Sequence, residues 1–183
     1  MKIYMVRHGQ TDSNVAKRIM GQRIDEPLNE EGKRQARELV ERIKNFRFDV
    51  IFSSPLKRAH ETAQIIAKRK NIPVMTRNEL QERDFGSLSG KTWPEAATEA
   101  GISVEELRSR DRALEYDYRP YSGESANDFR ERFLTFIEGL KKDYADKRVL
   151  IVAHAGVLRL AHALFREVNV DHIENASLEE FEV

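Results

Sequence analysis

Apolar residues along this chain follow two rhythms. Four short runs rich in β-branched and aromatic residues read as strands buried on both faces: Ile3 to Val6, Phe48 to Phe52, Ile72 to Met75 and Val149 to Ala153. A weaker alternating run, Leu178 to Val183, predicts one more strand at the end. Between these runs the spacing is helical. Ala36, Leu39, Val40, Ile43 and Phe46 form one stripe, and Leu56, Ala59, Ala63, Ile66 and Ala67 a second. Ala126, Phe129, Phe133, Phe136, Ile137, Leu140 and Tyr144 form a third. Asn29 is placed to cap the first helix, Pro55 to open the second, and Ser125 with Asp128 to form a capping box at the third. Strands that alternate with helices and are apolar throughout predict an α/β fold, with a mostly parallel sheet covered on both faces. Residues 85 to 122 break the rhythm. They are rich in Gly, Ser, Arg and aromatics (Trp93, Tyr116, Tyr118, Tyr121) and predict an inserted cap with short helical pieces.

Composition narrows the function classes. A chain of 183 residues has room for about one core. Its 31 Lys and Arg balance 31 Asp and Glu, so no global basic field favours nucleic acid or an anionic membrane surface. No run approaches the roughly 20 apolar residues of a membrane span, and the short stretch from Met1 to Val6 does not make a secretory signal, so a cytoplasmic location is expected. The absence of Cys removes disulfides, thiol nucleophiles and Cys-ligated metals. Residues 167 to 183 carry six acids and no Lys or Arg, which suits a solvated edge strand.

The chemistry concentrates where strands end. In open parallel sheets, ligands bind beyond the carboxyl ends of the strands. Here the first strand runs into Arg7, His8 and Gly9, and the second into Ser53, Ser54 and a helix whose first turn holds Arg58. The Val149 strand runs into His154, Ala155 and Gly156, opening an apolar helix to Phe165 whose N-terminal amides favour an anion. Arg7 and His8 serve one site only if the chain leaves the strand between them, because successive strand residues face opposite ways. Two guanidinium forks beside two imidazoles suit a phosphomonoester better than a carboxylate. A metal is not expected, because two adjacent Arg repel a dication and no ligand spacing is present; no cofactor is implied. His60, His162 and His172 lack the strand-end setting and read as structural. An imidazole is then the available nucleophile, and a proton donor for the leaving oxygen has to come from Glu79, Glu82 or Asp84, among which spacing does not choose.

The segment Arg7-His8-Gly9-Gln10-Thr11, with Asn14, resembles the RHG(E/Q)T signature of the histidine phosphatase superfamily, which includes cofactor-dependent phosphoglycerate mutases and small phosphatases. Further blocks follow in order: Gly21 with Asp25 to Leu28, Gly32 and Gln35-Ala36; Ser53 to Ala59 with Thr62-Ala63; Leu80, Glu82, Phe85-Gly86 and Gly90; Gly123 to Ser125; His154 to Gly156; Asn175 to Ser177. Ala153, Ala155 and Ser89 depart from residues common in the family. The resemblance implies a three-layer α/β/α sandwich forming one domain over residues 1–183, with residues 85–122 as its variable cap. It also implies that His8 is phosphorylated, that Arg7, Arg58 and His154 surround the phosphoryl group, and that Glu82 protonates the leaving oxygen. Asn14, Gly21, Gln22, Ala155 and Gly156 are then expected to line the phosphate or its substrate. The expected partner is a small phosphorylated metabolite that is hydrolysed. Phosphoryl transfer of the mutase type is the alternative, and a non-catalytic module that binds a phosphometabolite is a third reading. Cap arginines Arg108, Arg110, Arg112 and Arg119 suit either a second acidic group or a solvated face.

Overall fold

The computed structural model describes residues 1–183. Its elements are β1 (Lys2–Arg7), α1 (Asp12–Val15), α2 (Glu30–Arg42), β2 (Val50–Ser53), α3 (Lys57–Lys70) and β3 (Val74–Thr76). They continue with α4 (Trp93–Ala100), α5 (Val104–Arg112), α6 (Ala126–Asp143), β4 (Val149–Ala153), α7 (Ala155–Phe165) and β5 (Leu178–Glu182). The five strands form one sheet in the order β3-β2-β4-β1-β5. Every pairing is parallel except β1 with β5, where Ile3 lies opposite Phe181. The acidic end of the chain is thus an edge strand, and Glu180 is tied to Lys2 on its neighbour.

Period-two alternation in the strands divides the core into two layers. Val149, Ile151 and Ala153 face Phe129, Phe133 and Ile137 of α6 and Val157 and Leu158 of α7. Leu150 and Val152 face the other way, toward Leu39 and Val40 of α2 and Ala59, Ala63 and Ile66 of α3. This is the three-layer arrangement. A third cluster, built from Ile19, Phe85, Leu88, Ala96, Leu107 and Tyr118, holds residues 85 to 122 together over the strand ends.

Capping follows the predictions at Asn29, whose side chain accepts from the Gly32 amide, and at Ser125, whose box with Asp128 is complete. Elsewhere boundaries move, for local reasons. β2 begins at Val50 instead of Phe48, because pairing with β4 starts at Val50 opposite Val149, while the Phe48 ring packs edge-on against Tyr4. β3 begins at Val74 instead of Ile72. Asn71 closes α3 in the left-handed conformation, the Ile72 amide returns to the Ala67 carbonyl, and Pro73 has no amide to give. Pro55 precedes the helix it was expected to open, since Leu56 is the N-cap. Phe46 drops off the α2 stripe: the Lys70 ammonium donates to the carbonyls of Ile43, Lys44 and Phe46 and ends the helix before Phe46 is reached. α7 starts at Ala155, one residue earlier than the Gly156 start expected.

Candidate active site

β1 and β4 are neighbours in register, with Arg7 opposite Ala153, so the next residue on each, His8 and His154, come out side by side. Their ring centroids are 5.2 Å apart. β1 ends at Arg7, and this frees His8 from strand alternation, so Arg7 and His8 reach one cavity. That cavity, about 380 Å³, opens beyond the strand ends and is also lined by Asn14, Gly21, Arg58, Glu82 and Ala155. The helical segment above contributes Trp93, Arg108 and Asp111.

His8 is buried, and its Nδ1 lies 2.7 Å from the Gly9 carbonyl oxygen. A carbonyl oxygen only accepts, so Nδ1 carries the proton and Nε2 keeps its lone pair. Burial, reinforced by the charges of Arg58 and Arg7, holds the imidazole well below its usual pKa, so the ring is neutral at neutral pH. His154 is fully buried, and its Nε2 lies 2.8 Å from Ser54 Oγ while Nδ1 has no partner. Burial and then Arg58 and His8 hold it, too, well below the ordinary value.

Arg58 extends from the first turn of α3 and is 1% exposed. Its Nη1 and Nη2 each donate at 2.8 Å, to the carbonyls of Ile24 and Gly21, and its Nε is left without a partner. Gly21 thus holds the fork through its backbone. It adopts φ +58, and a Cβ there would lie 2.8 Å from the Arg83 carbonyl oxygen. Arg7 donates to the Ile173 carbonyl, and its buried Nε is also unpaired. Burial lowers both guanidinium groups to about 10, partly offset by Glu82, and both remain cationic at neutral pH. Two guanidinium groups lining the cavity beside a neutral imidazole with a free lone pair suit a tetrahedral oxyanion.

Glu82 is held in a stretch without regular structure. Its Oε1 accepts from the Arg83 amide at 2.9 Å, and its Oε2 from the Gly156 amide at 3.1 Å. The first turn of α7 therefore gives the Gly156 amide to this carboxylate instead of to a ligand. Gly156 does not line the cavity, and neither does His154, which stands behind His8. Gln22 turns away, donating to Glu124 at 3.2 Å. Asn14 lines the cavity while completing a capping box with Thr11. Of the four cap arginines only Arg108 lines the cavity, with its guanidinium 6.0 Å from the Trp93 ring centroid. Arg110 sits over the Tyr116 ring, Arg112 pairs with Asp171 and Arg119 with Asp117. His60, His162 and His172 do not line the cavity.

Sequence reasoning missed Lys17, Arg159 and Asp111 in the wall. Arg159 was findable, since it falls one helical turn after Ala155 on the same face of α7. Asp111 gave no signal among the charges of α5. It is buried, accepts from the Tyr118 hydroxyl at 2.9 Å and lies 3.6 Å from Arg83, and burial raises its pKa. No group of three or more His, Asp or Glu side chains is arranged to hold a metal ion.

A parallel-centred sheet with paired imidazoles and guanidinium groups at its strand ends belongs to the phosphate-handling α/β proteins. Residues 3–183 match the family model of the histidine phosphatase superfamily (branch 1), and the chain belongs to that family. A metal-independent phosphoserine phosphatase of Arabidopsis thaliana is 40% identical over 160 residues, covering 86% of this chain and 66% of that one. A 2,3-bisphosphoglycerate-dependent phosphoglycerate mutase of Gloeobacter violaceus is 36% identical, covering 99% and 80%. Among solved structures, a mycobacterial glucosyl-3-phosphoglycerate phosphatase in complex with VO3 superposes with a TM-score of 0.82 at 30% identity, covering 98% of this chain and 91% of that one. Phosphatases and mutases are thus both relatives, and no helix here is long and apolar enough to cross a membrane.

Proposed function

We propose that this protein is a phosphomonoesterase that hydrolyses a small phosphorylated metabolite through a phosphohistidine on His8. The observation that carries the reading is the tautomer: the Gly9 carbonyl holds the Nδ1 proton, leaving the Nε2 lone pair free beside two guanidinium groups. Nε2 attacks phosphorus, the bond from phosphorus to the ester oxygen breaks, and Glu82 delivers a proton to the departing oxygen. Water then attacks the phosphohistidine with Glu82 taking its proton, and inorganic phosphate leaves as His8 regains its lone pair. Arg7 and Arg58 supply charge to the equatorial oxygens through both steps, with no change in their own protonation. His154, neutral and buried behind His8, backs the ring of the nucleophile. Residues 85–122 act as the cap that closes the cavity from above.

The cavity wall also supports a class of substrate. Six cations line it (Arg7, Lys17, Arg18, Arg58, Arg108 and Arg159) against two carboxylates (Glu82 and Asp111), a formal excess of four positive charges in a chain of net charge zero. A phosphomonoester dianion accounts for about two of these, so the preferred substrate carries a second anionic group. The test is release of inorganic phosphate from a panel of phosphorylated metabolites, with and without a carboxylate, followed by a base quench. Acid-labile phosphate on His8 is expected, with none in the His8→Ala variant. Label on Ser or Asp overturns the mechanism. Transfer of the phosphoryl group to an acceptor phosphoglycerate, without free phosphate, replaces hydrolysis by the mutase reading.

A further inference from the structure

We propose that Arg132 and Glu124 form a positioning unit that aims Glu82, a role that rests on Glu82 being the proton donor of the proposed reaction. Neither residue lines the cavity, and neither touches the Glu82 carboxylate. The segment that carries Glu82 lies between two short helical turns, Asn78–Leu80 and Gly86–Leu88, and belongs to no strand. Its backbone carbonyls therefore have no ladder to join, and something else has to fix them.

Arg132 does this with every donor it has. From α6, its Nη1 donates to the carbonyls of Glu79 at 2.7 Å and Gln81 at 2.8 Å, and its Nη2 to that of Glu82 at 3.0 Å. The remaining two donors go to the Glu124 carboxylate, Nε to Oε1 at 2.9 Å and Nη2 to Oε2 at 3.0 Å. A guanidinium has five N–H groups, and all five are used in its plane. Glu124 completes the grip from the far side of Glu82. Its Oε2 accepts from the Asp84 amide at 2.8 Å, and its own amide donates to the Asp84 carbonyl at 3.0 Å. Glu82 is thus bracketed by backbone contacts at 79, 81, 82 and 84 that all converge on one ion pair. Gln22, which joins the same carboxylate, ties the loop after α1 into the unit.

A fixed backbone matters here because the Glu82 side chain has only two hydrogen bonds of its own, both to backbone amides. If the segment shifts, the carboxylate moves with it, while Arg7, Arg58 and His8, anchored elsewhere, keep their hold on phosphate. The consequence is selective. Loss of the unit damages proton donation and spares phosphate binding and nucleophilic attack.

Two conservative variants test this. Arg132→Lys keeps a cation in a half-buried place but cannot supply a planar fork, and Glu124→Gln keeps an acceptor for the Asp84 amide but loses the charge. Both are assayed with an alkyl phosphate and with nitrophenyl phosphate, beside Glu82→Gln and with thermal unfolding as the control for folding. Because general acid catalysis contributes about 10²–10⁴, kcat for the alkyl ester should fall about tenfold or more in each variant, with KM and the nitrophenyl rate changed less than about threefold. Adding Arg132→Lys to Glu82→Gln should produce little further loss. Equal slowing of both substrates, no slowing of either, or collapse of the fold in both variants overturns the proposal. If Glu82→Gln itself slows both esters equally, the proton donor reading falls and takes the positioning role with it; if Glu82→Gln discriminates and Arg132→Lys does not, only the positioning role falls.

Discussion

The Glu82 carboxylate occupies the space that a side chain at Gly156 would fill: a Cβ there would lie 2.2 Å from Oε1 and 3.1 Å from the carboxyl carbon. Gly156 thus contributes a missing methyl group as well as its amide. Gly156→Ala should leave the helix intact, because Ala is the better helix former, and push the flexible carboxylate aside. Turnover of an alkyl phosphate should fall by about one to two orders of magnitude, within the range general acid catalysis supplies. Unchanged kinetics would show that the carboxylate works from elsewhere.

Arg58→Lys keeps the charge of Arg58 and loses its fork. The carbonyls of Gly21 and Ile24 can no longer both be served while a nitrogen stays free for phosphate. Each charge-assisted hydrogen bond lost in the transition state costs about 1.5–3 kcal/mol, or roughly 10- to 150-fold in kcat/KM. A variant with the wild-type rate would mean that Arg58 takes no part in phosphate binding.

The strand ends were legible in the sequence because the information there is local. Arg7-His8-Gly9 and His154-Ala155-Gly156 follow apolar runs directly, and neighbouring parallel strands bring such runs to the same edge. The helix stripes between apolar strands were legible in the same way as a sheet covered on both faces, and the three-layer sandwich came from the family resemblance. What the sequence hid depends on partners far along the chain. Phe46 fits the α2 stripe by spacing, yet Lys70, 24 residues later, ends the helix first. Gln22 fits its motif block, yet Glu124, 102 residues away, claims its amide. Arg132 lies outside the apolar stripe of α6, and no periodicity marks a side chain that answers loop carbonyls 50 to 53 residues earlier.

Acid should weaken the folded state in a definite window. His8 and His154 have pKa values well below 6.5 when folded and about 6.5 when unfolded. The unfolded chain then binds more protons, so stability is full above pH 6.5 and is lost as pH falls from there toward the folded values. Each ring contributes at most about 1.4 kcal/mol per pH unit inside that window. Melting temperature measured from pH 7.5 to 5 should fall, and His8→Asn should make the fall shallower. The acid limb of kcat/KM should likewise lie below 6.5, since His8 remains neutral to lower pH. A limb centred on 6.5 or above would contradict the burial argument.

Asp111 and Arg83 form a pair whose side chains are 8% and 2% exposed. Removing one partner of such a pair strands the other charge out of water, at a cost of about 3–5 kcal/mol. Asp111→Ala should therefore lower the unfolding free energy by about that amount in a denaturant titration, and combining it with Arg83→Met should restore much of it. Tyr118→Phe, which deletes one neutral donor to a charged acceptor, should cost about 1.5–3 kcal/mol at most. An Asp111→Ala protein as stable as the wild type would show that water already reaches the pair.

His8 is synthesised 146 positions before His154. At about 5–20 residues per second, His8 waits roughly 7–30 s for its partner ring. β1 waits with it, because its two sheet neighbours, β4 and β5, follow β2 and β3 in the chain. During that interval Ile3, Met5 and Val6, all fully buried in the finished sheet, belong to a strand with neither edge paired. The nascent chain is then both without a phosphate pocket and open to misassociation along its first strand, and both conditions end with the same β-pairing event.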